Sequence, residues 1–561
     1  MAIDFSISSI TFSDGTRVTT PRKGVTVIVG PNNSGKTASL KDLVANIDHE
    51  TAKKQSRVLK DVAFDAVGEF DDFRQWMAKF SHEEPGGREV TYRRMGHQVH
   101  PAMAEAAWLN SGSGYMGALK DFLTMYADVD QRAHLFGPQG ITGDIWDMTP
   151  NTPIHYLYLD GDLEEEFSRI CELTFGQPLT LQRLGAQFLV RVGVPSADVP
   201  PLNRPTKGYA EAEKALPPLQ EQGHGMRSYM ALALLLLVQS YHVVLIDEPE
   251  AFLHPPQRRE LGRLMGELAS RRESQLFVST HDTEFLWGLL DGPSDVSVVR
   301  LTRDGKINHA KEIGAEEAKT LWTDPLLRYS RVFDGLFYDR VVVAESDADC
   351  RFFAAVLDYL VESDSFGRPD VLFVPAGGKD RMHVAVSALR RVGVDAVAAA
   401  DFDMLRDEQS LRRLVLSVGG DWDSSAALRK RFADAISSKK MAKPISGLRA
   451  HLDTLIPSDA VNLDRAMSKA VTELFAFRDG WDEAKRAGLG SVPSGDAYQS
   501  CRLLLDELSK VGLFISPFGE LESFVRDEGG HGPKWVSAVL AKGSHKQARE
   551  AHDFVRMLVL G

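Results

Sequence analysis

The stretch GVTVIVGPNNSGKT, Gly24 to Thr37, constrains this chain more than any other. Val25 to Val29 form a β-branched run that predicts a strand. Gly30 to Thr37 match the pattern GxxxxGK[ST], and from Ala38 onward the spacing is helical, so the loop stands in the strand, loop, helix context that phosphate binding requires. Glycines let backbone N–H groups approach phosphate oxygens, and the helix N-terminus adds a favourable dipole. Lys36 is placed to reach the β and γ phosphates, and the Thr37 hydroxyl to bind Mg2+. The predicted nucleotide-binding residues are therefore Gly30, Asn32, Asn33, Ser34, Gly35, Lys36, Thr37 and Ala38.

At 561 residues the chain exceeds one ordinary core and predicts two to four domains. Its 43% hydrophobic and 25% charged content is that of a globular protein able to bury them. A formal net charge of -13 argues against a globally basic nucleic-acid coat, leaves room for a local basic groove, and suggests acidic clusters that hold cations. Cys171, Cys350 and Cys501 are far apart with no CxxC pair, so neither a zinc ribbon nor a disulfide framework is supported, and a reducing compartment is expected. The N-terminal MAIDFSISSITF lacks a secretory pattern. The longest apolar run, Tyr229 to Val238, falls short of the roughly 20 residues that span a bilayer. The expected location is cytoplasmic, with no membrane partner.

Residues 1 to 20 alternate around Asp14-Gly15 and predict a hairpin. Residues 48 to 218 are less legible. We expect a helical insertion there, with a helix at Asp71 to Phe80, a loop at Ser111 to Gly114, and a strand then a helix in IHYLYLDGDLEEEFSRICELTF, whose Glu164, Glu165 and Glu166 sit in the first turn or on a solvated face. Motifs return in EQGHGMRSYMALALLLL, a glycine-rich turn before an apolar helix, and in YHVVLIDEPEAFLHP, a buried strand ending in Asp247-Glu248. Asp247 suits Mg2+ coordination through water, and Glu248 is placed to orient or deprotonate the attacking water. After the next strand, Gln275 to Thr280, His281 is placed as a γ-phosphate sensor.

In that order GPNNSGKT, the GHGMR turn, VVLIDEPEAFLHP and FVSTHD resemble the Walker A, signature, Walker B with D-loop, and switch-histidine motifs of ABC-type ATPases, over about residues 1 to 325. The resemblance implies two heads sandwiching two ATP molecules, hence a homodimer, with the signature turn and its Gly225 closing on the partner's nucleotide. Gly223 precedes His224 and Gly225 where the family usually has a serine, so one hydroxyl contact to the γ-phosphate is missing and slow turnover is expected.

The polar helical segment Gly314 to Arg331 reads as a seam, with a second domain over 326 to 561. There VVVAESDADC, Val341 to Cys350, predicts a buried strand that delivers Glu345, with Asp349 one helical turn on. VLFVPAGGKDRM runs a strand into Gly377-Gly378. VDAVAAADFDML ends a strand in Asp401-Phe402-Asp403, an i, i+2 pair suited to a shared cation. Together these resemble the Toprim fold, and ISPFGELESFV resembles a late acidic motif contributing Glu520 and Glu522. An ABC ATPase followed by a Toprim (Rossmann-like) α/β domain resembles the OLD (overcoming lysogenisation defect) family of nucleases, which includes the nuclease subunit of the Gabija anti-phage system. The family commonly has glycine where Ser346 stands, which bears on the turn rather than on the carboxylate.

The resemblance implies Mg2+ or Mn2+ at Glu345, Asp349, Asp401, Asp403 and one of Glu520 or Glu522, numbers that meet the needs of a two-ion phosphodiesterase. Lys379 and Lys534 are candidates to stabilise the phosphate or protonate the leaving group. Arg429 to Lys443, with Arg429, Lys430, Arg431, Lys439, Lys440 and Lys443, suits a nucleic-acid backbone or a solvated helix face. Trp535 reads as packing ahead of base stacking. The leading expectation is an ATP-regulated, metal-dependent endonuclease of prokaryotic anti-phage defence, acting on DNA ahead of RNA, with a helicase or effector partner encoded nearby. The defence role comes from the resemblance alone. The rivals are an ATPase sensor that controls an effector, a DNA-repair motor whose Toprim domain is an interaction module, and a transfer-RNA nuclease.

Overall fold

A computed structural model describes residues 3–561 apart from 84–89, 141–149, 151, 185–186, 202–203, 205, 239–240, 329, 364–366, 439–448, 450, 453, 457–463 and 476–479. The chain divides into two compact units between Phe337 and Tyr338, twelve residues beyond the seam expected at 325/326. The polar stretch after 314 stays with the first unit because its aromatic residues are buried there. Trp322 meets Trp287 edge-on at 4.5 Å and Phe333 at 5.2 Å, and all three are buried.

The first unit is organised by a six-stranded sheet ordered Ile307–Ile313, Val296–Asp304, Gly24–Val29, Gln275–Ser279, Val243–Asp247 and Thr124–Ala127. Every pairing is parallel except the edge hairpin between Val296–Asp304 and Ile307–Ile313. Strands covered on both faces read as continuous apolar runs, and all five residues of Val243–Asp247 and of Gln275–Ser279 are buried. The expected N-terminal hairpin is present. Asp4–Phe12 pairs with Arg17–Thr19, and the Asp14 carboxylate accepts from both the Thr16 N–H and its hydroxyl at 2.8 Å. The helix that follows the phosphate loop, Lys36–Asp48, is anchored by buried Asp42, which accepts from the N–H groups of Arg57, Val58 and Leu59 at 2.9, 2.7 and 3.0 Å.

Residues 48 to 218 are mixed rather than helical, since they carry Thr124–Ala127 to the edge of the main sheet and the pair Leu179–Gln182 and Gln187–Val192. The strand expected in IHYLYL is the helix Pro153–Leu159. Proline at its first position suits a helix start, and Ile154 and Leu157, three apart, share its buried side. Glu164 stands in the first turn of the helix Gly161–Phe175, as expected, and there pairs with Arg183 at 2.5 Å and accepts the Leu181 N–H.

The second unit holds a four-stranded, all-parallel sheet ordered Val371–Pro375, Arg340–Ala344, Asp395–Ala400 and Leu513–Ile515. Ala344 registers with Pro375 and with Ala399, and Ala400 with Ile515, so all four strands end level at one edge. The helices Asp347–Ser363, Gly532–Lys542 and Arg549–Leu560 share one core, in which the fully buried Trp535 lies 5.4 Å from Phe352. Trp535 is thus a packing residue. Arg429 is half-buried and bonds to Glu408 at 2.8 Å and to the carbonyls of Leu405 and Arg406. Lys430 and Arg431 are exposed on the same helix, while Lys439, Lys440 and Lys443 lie outside the described residues.

Candidate functional site

Two edges concentrate the chemistry, one in each unit. In the first, the loop after Gly24–Val29 turns through positive φ at Gly30 (148°), Asn33 (62°) and Gly35 (97°). A Cβ on Gly30 would lie 2.1 Å from the Leu301 carbonyl oxygen, so only glycine fits there. Asn32 and Asn33 are exposed on the loop, Ser34 is buried beneath it, and Ala38 is half-buried in the helix. Lys36 Nζ donates to the carbonyls of Gly30 and Pro31, both at 2.9 Å, which holds the ammonium group over the loop. Thr37 and Asp247 are 210 residues apart, yet the Thr37 hydroxyl donates to Asp247 Oδ1 at 3.1 Å and the Ser279 hydroxyl donates to the same oxygen. That donor set, a hydroxyl beside a buried carboxylate, suits a hard dication bridging to phosphate.

Glu248 follows with φ 46°, an uncommon conformation for a side chain of this size, and its N–H donates to the Ser279 carbonyl at 3.0 Å. His281 Nδ1 is 3.4 Å from one oxygen of Glu248 and one of Glu250. Glu250 escaped the sequence reading. It is 2% exposed, accepts from the Thr280 hydroxyl at 2.7 Å and the His281 N–H at 3.0 Å, and burial pushes its carboxyl above the ordinary range. Arg132, also missed, donates to the Glu248 carbonyl at 2.9 Å. No local pattern marks Arg132, which lies in the illegible insertion. Gly225 is in the first turn of the helix His224–Val238, where a Cβ would come within 2.7 Å of the Phe252 carbonyl oxygen.

At the second edge all four strand ends contribute. Glu345 follows the first strand, and Ser346 closes the turn by donating its N–H and hydroxyl to Asp349 at 2.8 and 2.7 Å. Serine at the position where glycine was expected therefore orients Asp349. Gly377 and Gly378 have φ 75° and 122°, and the Gly378 N–H donates to the Glu345 carbonyl at 2.9 Å. Asp401 and Asp403 follow the third strand. Gly519, φ 116°, lets the backbone before Glu520 come close to Lys485, since a Cβ would sit 2.6 Å from the Lys485 carbonyl oxygen. The Glu520 N–H donates to that carbonyl at 2.7 Å.

Electrostatics mark this edge strongly. Burial, reinforced by the charges of neighbouring carboxylates, raises the pKa of Glu345 and raises that of Asp401 well above the ordinary value. Burial likewise raises Asp349, against the Ser346 hydrogen bonds that lower it. Lys379 Nζ is 3.8 Å from Asp403, and Lys485 Nζ is 4.0 Å from Asp403 and 3.5 Å from Glu520. Burial opposes the charge on Lys485, but Asp403 and Glu520 outweigh it and hold its pKa above the usual lysine value. Lys485 was not singled out from sequence, because it sits on a short helix far from any motif. Lys534 is exposed on Gly532–Lys542 and has no ion pair with these carboxylates among the described residues. Glu520, Glu522 and His531 offer ligand atoms within 4.8 Å of one another, and Glu522 accepts the Gly532 N–H at 2.7 Å. Several partly buried carboxylates with few cations among them make a donor set that suits Mg2+ or Mn2+.

The sheet of the first unit, its phosphate loop and the Asp247-Glu248 strand end define a P-loop ATPase of ABC type, joined to a second α/β unit. The family model described as AAA domain, putative AbiEii toxin, Type IV TA system matches residues 208–286, the stretch that holds the signature turn, Asp247-Glu248 and His281. The OLD nuclease of Thermus scotoductus (strain ATCC 700910 / SA-01) is 27% identical over 218 residues, which cover 36% of this chain and 39% of that protein. The likeness to the OLD family that the motifs carry is thereby borne out, over less than half of that relative's length. Solved structures similar to the chain include an Smc head bound to the C-winged helix domain of ScpA (14% identity, 56% of this chain and 99% of that one, TM-score 0.33) and the SMC head domain from Thermotoga maritima (15%, 56% and 99%, TM-score 0.29). CbiO1 from Clostridium perfringens is another (12%, 53% and 83%, TM-score 0.26). Scores this low carry no weight for function.

Proposed function

We propose that the protein is an ATP-regulated, metal-dependent nuclease that cleaves phosphodiester bonds, in DNA ahead of RNA, as part of prokaryotic anti-phage defence. The observation that carries the reading is the single sheet edge on which Glu345, Asp349, Asp401, Asp403 and Glu520 gather from separate strand ends beside Lys379 and Lys485. Bound dications supply an activated water and relief of charge on the leaving oxygen. The carboxylates hold them, with Asp349 fixed by Ser346 and Glu345 by the Gly378 turn. Lys379 and Lys485 are the positive groups available to the phosphate, and Lys534 remains a candidate from the sequence. In the first unit, Lys36 and the loop take the β and γ phosphates of ATP, Thr37 and Asp247 hold Mg2+, and Glu248 with His281 orients the attacking water. Pairing of two such heads, with Gly225 of one facing the nucleotide of the other, makes the working unit a homodimer.

The test is nicking of supercoiled plasmid with Mg2+ or Mn2+ by the wild type, Glu345→Ala and Asp401→Ala, with an RNA substrate in parallel. Cleavage by the wild type alone is expected. Equal cleavage by all three would remove these carboxylates from the reaction, and cleavage of RNA only would move the substrate to transfer RNA or another RNA.

A further inference from the structure

Arg132 is an unusual residue in its position. Its side chain is fully buried, on the short helix Val129–His134. Its Nη2 donates to the Glu248 carbonyl, while Nε and Nη1 have no hydrogen-bond partner among the described residues. A buried guanidinium with donors left unpaired opposes stability, so its retention calls for a gain elsewhere. Two features supply that gain. Four carboxylates, those of Glu250, Asp247, Asp128 and Glu248, lie close enough to interact with the guanidinium through their charge. The bonded carbonyl also belongs to a residue at φ 46°, a backbone conformation that persists only when its surroundings enforce it. The Ser279 carbonyl holds Glu248 from its N–H side, and Arg132 holds it from its C=O side.

The helix that carries Arg132 packs directly on His224–Val238, the helix that opens with the signature turn. The helix Val129–His134 therefore joins the helix His224–Val238 to the backbone of Glu248. We infer that Arg132 is a positioning residue for ATP hydrolysis, which fixes the backbone of Glu248 and links it to the signature helix. Its side chain is fully buried behind Glu248 rather than exposed at the loop surface. It acts through Glu248, and the inference rests on Glu248 being the residue that orients the attacking water.

The experiment compares the full-length wild type, Arg132→Met, Arg132→Lys, Glu248→Gln and the double variant Arg132→Lys/Glu248→Gln. It reads kcat and KM for ATP, nucleotide affinity by a fluorescent ATP analogue with Mg2+, and melting temperature. Arg132→Met is expected to lower kcat by about tenfold or more with ATP affinity within about twofold, and Arg132→Lys to recover part of the loss. In the Glu248→Gln background, Arg132→Lys is expected to cost nothing further, because both act on one group. If Arg132→Met fails to fold, Arg132→Lys alone and in that background gives the same answer. An unchanged kcat in Arg132→Lys, equal losses in kcat and ATP affinity, or losses that multiply in the double variant would overturn the inference. If Glu248→Gln turns over like the wild type, the reading of Glu248 itself fails, which is distinguishable from failure at Arg132.

Discussion

The two strand edges solve related problems with opposite means. The first carries a phosphate-binding loop pattern with one lysine, Lys36, and has Asp128, Asp247, Glu248 and the deeply buried Glu250 as acidic neighbours. At the second, carboxylates from several strand ends lie together beside Lys379 and Lys485, and burial with their mutual charge raises the pKa of Glu345 and Asp401. A site that binds an anion can be written in one contiguous loop. One that binds cations for in-line displacement needs ligands converging from several directions, and so must be assembled by the sheet.

Substitutions break this comparison in a graded way. Asp401→Ala should have the largest effect, with plasmid nicking falling by about a thousandfold while ATP turnover stays near the wild-type rate. Loss of ATP turnover in the same variant would undo the separation of the two edges. Lys36→Ala should lower ATP turnover by about a hundredfold, and ATP affinity with it, as read by a coupled phosphate assay. At the second edge, Lys485→Ala should cost about tenfold in nicking, and a parallel Lys379→Ala shows which ammonium group the phosphate needs more. Gly519→Ala should destabilise the second unit by about 2 kcal/mol, measured by denaturant unfolding, because the new methyl meets the Lys485 carbonyl in a backbone conformation alanine resists.

The smallest effect is one of pH. The folded-state pKa values of Glu345, Asp349 and Asp401 are raised above their unfolded values, so protonation favours the folded form. Their penalty is absent below about pH 4 and grows as pH rises through the raised values. In EDTA the melting temperature contributed by this edge should therefore decline by a few degrees as pH rises across that window, and Mg2+ or Mn2+ should flatten the decline. The same slope with and without metal would mean that cations are not what this edge waits for.

Much of this was legible in the chain. GPNNSGKT and VVLIDEPEAFLHP announce their strands and their chemistry because each is a continuous run with one local geometry. Glu345 and Asp401 were legible because each follows an apolar run, since a buried parallel strand must deliver its next residue to the sheet edge; the other carboxylates were read by their order after those strands. The insertion was not. The residues of Pro153–Leu159 form a short apolar and aromatic run that reads as a strand yet folds as a helix, and the strand Thr124–Ala127 is recognisable only by its partner Val243–Asp247. Short apolar runs fit either period, and contacts distant in sequence choose between them.

The sequence by itself determined the phosphate loop, the acidic ends of the strands and the order of two α/β units, because these depend on residue type and local spacing. Only the tertiary structure decided that Thr37 and Asp247 share a hydrogen bond, that Lys485 enters the carboxylate edge, that Ser346 orients Asp349, and that Arg132 holds Glu248 from within the core. Those pairings join residues whose separation in the chain carries no signal, or depend on a turn geometry that residue identity leaves open. They exist only once the fold has brought distant segments together, with burial leaving groups such as Arg132 and Asp349 to find partners inside the protein.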